Sequence, residues 1–244
     1  MQVSFGSGNL VGIPSGSNPT PGIFGVLQGV ELDFGASLKE LYGQNQFPVA
    51  VARAGQKVTG KATTAQINAR LYNSLFFGGT LGSGNAGILA VTNEAGTIPG
   101  TPYAVTVTNS ANFLQDEGVV FAATGVQLTR VASSPATGQY SVSAGVYTFA
   151  AADTTLGVLI SYTYSTTSGA SKITITNQLM GVAPTFQINL SNTFNSKVIN
   201  FQLQACVANK LSFPFKNQDF MVNDFEFEAY PDAANILGYI TTSE

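Results

Sequence analysis

Five acidic residues have the spacing most suggestive of chemistry. Asp224, Glu226 and Glu228 sit at i, i+2 and i+4, so an extended backbone turns all three carboxylates to one face. Glu31 and Asp33 repeat the pattern upstream. Paired carboxylates can hydrolyse glycosides, and clustered ones can hold hard cations. Neither chemistry finds its usual company here. There is no tryptophan to form a sugar-stacking platform, and the spacing of Asp224, Glu226 and Asp232 matches no calcium loop. The chain has no histidine, so the usual general base near neutral pH, the Ser-His and Cys-His pairs and any Cys/His metal site are all missing. The stretch GQKVTGKA at 55–62 matches the phosphate-loop pattern G-x-x-x-x-G-K. Alanine, however, stands where a hydroxyl would bind Mg²⁺, and Lys57, Thr59 and Lys61 alternate with Val58 and Gly60 as a hairpin strand would. The expectation is a protein that is not an enzyme and uses no metal or cofactor. Three like charges in a row repel unless well solvated. The 224–228 face should therefore meet water, on an outer surface or in a water-filled channel.

The elements that must position these groups are strands. Of 244 residues, 44% are hydrophobic, 11% aromatic and only 9% charged, against roughly 25% charged in an average soluble protein. With 26 glycines, this composition suits many strands joined by tight turns. So few charges protect a lone monomer poorly, which points to a surface buried in an assembly. Net charge is −3 and the ten basic residues form no run, which argues against a dedicated nucleic-acid binder. The single cysteine, Cys206, excludes an intrachain disulfide and reads as a small buried hydrophobe. The first residues lack a secretory pattern. No apolar run of about 18 residues is present, so no membrane insertion is expected. The expected compartment is a cytosol.

Taken in order, residues 1–23 read as a Gly- and Pro-rich arm with apolar beads at Leu10, Val11 and Ile13. Residues 30–34 alternate as a strand. Residues 38–46 read as a polar loop, 47–53 as a strand, 54–56 as a turn and 58–62 as a returning strand. A helix over about 64–77 should start at a Thr63 or Thr64 cap, bury Ile67, Leu71 and Leu75, and stop at Gly78. Residues 80–170 read as an inserted small all-β domain, entered through Gly82 and Gly84, with short strands between glycine turns. Strands resume at 173–175, 186–190 and 198–207; in the last, Ile199 to Val207 face inward at odd positions and Asn200 to Cys206 outward at even ones. Residues 236–240 should close the sheet. The fold class is mainly β, with a main domain of 24–79 and 171–244.

Four stretches together resemble a known family. They are KELYGQNQFPVAV at 39–51, the hairpin strand KVTGK at 57–61, the helix ending LFFG at 75–78, and the closing FPFKNQDFMVNDFEFEAY at 213–230. Over about 24–79 and 171–242 the chain is similar to a tail tube protein, or major tail protein, of a tailed bacteriophage. The resemblance implies a β-sandwich or barrel flanked by one helix. It also implies hexameric rings stacked into a tube around a DNA-ejection channel, in a virion tail assembled in the host cytoplasm. Partners would be further copies, other tail proteins, and DNA that passes without specific binding. On this reading Leu10, Ile13, Lys39, Leu41, Tyr42 and Phe47 are candidates for contacts between subunits and rings. Glu31 and Asp33, or Asp224, Glu226 and Glu228, would line the channel. The alternative is a capsid decoration protein or a host-binding fibre or adhesin module.

Overall fold

The computed structural model describes residues 3–79, 81 and 87–243. In chain order the strands are β1 (Asn9–Pro14), β2 (Gly22–Ile23), β3 (Leu27–Tyr42) and β4 (Pro48–Thr64), followed by helix α1 (Ala69–Tyr72), which runs on as a π-helical segment (Asn73–Phe77). Then come β5 (Gly87–Thr97), β6 (Ala104–Thr106), β7 (Phe113–Phe121), β8 (Thr129–Arg130), β9 (Gln139–Ser143), β10 (Val146–Phe149) and β11 (Gly157–Thr166). The chain ends with β12 (Thr185–Phe194), β13 (Lys197–Ser212), β14 (Asn223–Tyr230) and β15 (Gly238–Thr242). The fold is mainly β, with 54% of residues in strands and 6% in helix. It divides into two compact units: Met1–Leu81 with Ile173–Glu244, and Gly82–Lys172.

The larger unit is one eight-stranded sheet in the order β2-β1-β12-β13-β14-β4-β3, with β15 also on β13. Laid flat, β2 and β3 would stand about 29 Å apart at the usual strand spacing. Only Phe24, Gly25 and Val26 join them, a reach of about 14 Å. The sheet therefore has to curl, and Phe24 packs its ring against Phe225 at 5.3 Å. It does not close into a barrel. The concave face buries Phe186, Ile188, Leu203, Phe225 and Phe227 with Leu71, Tyr72 and Leu75 of the helix. Glycine makes room at Gly60, where an added Cβ would lie 2.1 Å from the Phe227 ring.

Several local expectations give way to pairing. The helix begins at Ala69, not near 64. Thr64 ends β4 and donates its hydroxyl to the Gly25 carbonyl, while Asn68 Oδ1 accepts the Leu71 N–H at 3.1 Å as the true cap. Ile67 lies outside the helix, exposed. Gly78 does end the helical stretch, at φ +62°. The expected arm is in part a strand, since β1 pairs along β12 from Asn9↔Ser191 to Pro14↔Phe186. The expected loop at 38–46 and turn at 54–56 are both largely strand: β3 runs unbroken to Tyr42 and β4 begins at Pro48. The Ala54-Gly55 signal is a bulge, since Ser37 pairs Gly55 and Leu38 pairs Arg53, leaving Ala54 as the extra residue. In β13, register slips between Leu203↔Ile188 and Cys206↔Phe186. That slip turns Cys206 into the core and Val207 out of it, reversing the expected alternation. Residues 173–175 form no strand; Ile173 makes a single bridge to Leu81. β15, at Gly238–Thr242, does extend the sheet beside β13.

The smaller unit has two sheets, β5-β11-β7 and β6-β10-β9-β8, around a core of Ile98, Val119, Tyr140, Tyr147, Phe149, Ile160 and Tyr162. Its longest strand, β5, is one that the glycine-rich 79–112 stretch did not suggest. Gly82 and Gly84 lie outside the described residues.

Candidate assembly interface

The acidic residues converge. Across the sheet, Glu31 on β3 pairs with Lys61 on β4, Lys61 with Glu226 on β14, and Glu226 with Lys210 on β13. Asp33, Thr59 and Glu228 form the next row, and Asp224 lies beside Thr63. Cross-strand partners share a face. Glu31, Asp33, Asp224, Glu226 and Glu228 therefore stand together on the sheet face turned away from the core, and the two alternatives read from the sequence are one surface. Lysines temper it: Lys57 lies 2.8 Å from Glu228, Lys61 3.3 Å from Asp224 and Lys210 2.8 Å from Glu226. These ion pairs are exposed and each contributes little stability. Among the described residues Glu31 and Asp33 make no ion pair. They line a shallow cleft of about 300 Å³ with Lys61 and Glu226. The face continues toward β12 as amides, where Gln187 Nε2 donates to Gln204 Oε1 at 3.1 Å.

A second feature leaves the sheet altogether. β14 accompanies β4 only as far as Val58↔Ala229. Beyond that point 35–42 and 48–57 pair only with each other, a two-stranded ribbon about 25 Å long. Every residue of β3 from Asp33 to Tyr42 and of β4 from Val49 to Lys57 is exposed. Lys39, Leu41, Tyr42 and Phe47 all lie there, as do Leu38, Val49 and Val51; Phe47 is 84% exposed. A lone hairpin of this kind is marginal in water, and here it displays large apolar side chains. At its root a groove of about 600 Å³ is lined by Phe34, Val58, Tyr230, Pro231 and Leu237. Further apolar side chains are exposed on 175–182 (Ile175, Leu179, Met180) and 213–220 (Phe215, Phe220).

No family model matches this chain, and no curated protein matches it.

Two of the anticipated contact residues sit elsewhere. Leu10 is fully buried in its own unit's core and is not presented to a neighbour; β1 was drawn inward because its Leu10 face completes the sheet. Ile13 is half-buried on the same strand, opposite Gln187. The ribbon's full extent was missed because its glycines and polar residues imitate a loop. The V-A-V-A run at 49–52 falls in the stretch already expected as a strand; the parts of the ribbon that its residues did not signal are 38–42 and 54–57. The phosphate-loop match lies wholly inside β4. Cys206 is buried in the core, which pushes its thiol up to about 12. No group of His, Cys, Asp or Glu among the described residues is arranged to hold a metal ion.

Proposed function

We propose that this chain is the structural subunit of a bacteriophage tail tube. Copies would join in hexameric rings with a tail-tube-like sandwich fold, and the rings would stack around a channel through which DNA leaves the virion. The observation that carries this reading is the ribbon, a long unsupported hairpin whose exposed Leu38, Leu41, Tyr42, Phe47, Val49 and Val51 need covering. A neighbouring ring would cover them. The charged face suits the channel wall: five carboxylates against three lysines leave it net negative, and phosphate is repelled rather than held. Assembly would take place in the host cytoplasm and would involve other tail proteins at the tube's ends.

A decoration or host-binding module has less support. Sugar recognition by stacking needs exposed rings, and Tyr140, Tyr147 and Tyr162 of the smaller unit are buried. Negative-stain electron microscopy of the purified chain across a concentration series tests the reading. Hollow tubes or rings are expected; monomers at every concentration would sink it.

A further inference from the structure

We propose that two copies of the free chain pair through their smaller units, the β5 edge of each antiparallel to that of the other around a two-fold axis at Leu89, and that this pair withholds chains from assembly. The contact goes beyond the tube reading; only its effect on assembly rests on that reading.

The first observation is an edge without protection. Proteins guard sheet edges with short strands, charges, bulges or covering chain, and the smaller unit guards three of its four edge strands in these ways. β6 has three residues and β8 two. β7 carries Asp116 and Glu117 and is bulged at Glu117. Its far end is covered, with the Leu128 N–H donating to the Val119 carbonyl and the Phe121 N–H to the Val126 carbonyl, each at 2.9 Å. β5 pairs with β11 alone. Among the described residues no other strand or loop makes a backbone hydrogen bond with the backbone of 87–95. Gly87 to Val91 run in unbroken register with Thr166 to Tyr162 and include neither charge nor proline.

The second is an unfinished row. Phe113 on β7, Tyr164 on β11 and Leu89 on β5 are cross-strand partners, so they share a face. It is the face that Phe113, Tyr164 and Val91 turn to the core. Leu89 is nonetheless 39% exposed, because β5 is the last strand of its sheet. Ile88, on the opposite face, is 54% exposed. In the two-fold pair Leu89 meets its own counterpart, Ile88 meets Ala90 and Gly87 meets Val91. The apolar row then runs on through Leu89, Tyr164 and Phe113 of the second copy, and each Leu89 is covered.

The third is charge, which selects a second copy as the occupant. A strand that pairs with itself brings its charges up against their own kind. At β3, an edge strand of the larger unit, this would crowd Glu31 and Asp33 with a second pair of carboxylates. At Gly87 to Val91 there is nothing to repel. Copies in stacked rings are related by rotation and translation along one axis and by no two-fold. The β5 pair is therefore a form of the free chain, and a copy must leave it to join a ring.

The test uses the full chain, below and through the onset of assembly. Sedimentation of wild type below the onset should show a monomer–dimer equilibrium. Leu89→Lys and Leu89→Glu each set like charge against like at the axis and should weaken pairing about tenfold or more; mixed in equal amounts, they should pair again. Circular dichroism and hydrogen exchange in β11 check that each variant keeps its fold. Because Cys206 is buried, Leu89→Cys adds an exposed thiol to a chain that has none, and mild oxidation should link two chains through it. Leu114→Cys, on β7 at a site 49% exposed, should not link. By mass action, Leu89→Lys should also begin to assemble at a concentration about twofold or more below that of wild type. Wild type that is monomeric below the onset, or charge variants that fail to pair on mixing, would overturn the pair and leave the edge to a strand of another protein. An onset that Leu89→Lys leaves unchanged or raises would overturn the withholding role. Dimers without rings or tubes at any concentration would overturn the tube reading and leave the pair standing. Monomers at every concentration would overturn both.

Discussion

The two units of this chain treat their polar and aromatic groups in opposite ways. The smaller unit turns them inward. Its Asp116 side chain is only 4% exposed; it accepts hydrogen bonds from the hydroxyls of Tyr140 at 2.7 Å and Tyr147 at 3.0 Å and from the Gly118 N–H at 3.1 Å. Glu94 does the same with the Tyr162 hydroxyl at 2.6 Å and with the Thr108 hydroxyl and N–H at 2.8 Å. The large apolar side chains it leaves exposed, such as Leu114, Val126 and Leu156, are aliphatic. The larger unit turns comparable groups outward: a charged sheet face, an apolar ribbon, and loops ending in Phe215 and Phe220. Scattered exposed leucines need no explanation, but contiguous exposed apolar surface marks interaction sites. One unit covers its own aromatic groups, and the other leaves apolar side chains and a charged face exposed.

That contrast can be broken first at the ribbon. Replacing Leu41 and Phe47 together with serine should abolish tubes and rings, seen by electron microscopy, while thermal melting of both units stays within about 0.5 kcal/mol of wild type. Melting that falls with assembly would mean the ribbon supports its own unit. The next largest effect is expected in the larger unit's core. Phe227→Ala leaves a cavity over Gly60 and should cost about 3–5 kcal/mol. Hydrogen exchange should report the loss in the larger unit and leave the amides of β9–β11 unchanged.

The reciprocal change is Asp116→Ala. It strips the acceptor from two buried hydroxyls, each worth about 1–3 kcal/mol when orphaned, and should loosen the smaller unit while sparing assembly. Loss of assembly would show that the units are not independent. The smallest effects come from pH. Burial pushes the Glu94 carboxyl up, but hydrogen bonds from Tyr162 and Thr108 outweigh it and hold the group below its ordinary 4.5. A depressed carboxyl contributes stability above its unfolded value and loses it as pH falls through the folded one. The smaller unit should therefore weaken progressively below pH 4.5, and Glu94→Gln should flatten that slope. Burial and the neighbouring Asp116 raise the Tyr140 and Tyr147 hydroxyls above 10.0. Their contribution is whole below that value and declines as pH rises beyond it, which a series of melting curves from pH 9 to 11.5 would resolve.

Much was legible in the sequence because it is local. The strand character of 224–230, with Phe225 and Phe227 on one face and Asp224, Glu226 and Glu228 on the other, follows from a period of two and holds in the burial of β14. Gly78 ends the helix because it takes φ +62° at no steric cost. Asp232 makes its turn by accepting the N–H groups of Ala234 and Ile236. Low charge and abundant glycine were enough to indicate a β-rich chain. What only the tertiary structure decided is relational. Whether Ala54 turns the chain or bulges within a strand depends on its partner Ser37–Leu38, and whether Cys206 faces in or out depends on where β13 slips against β12. Leu10 joins the core because β12, some 180 residues away, offers it an edge. Glu31 and Asp33 share a surface with 224–228 only because β4 lies between them and sets both registers. A one-residue slip moves every side chain beyond it to the other face, and slips are fixed by strands distant in sequence, so the face that any acidic residue occupies is a property of the assembled sheet.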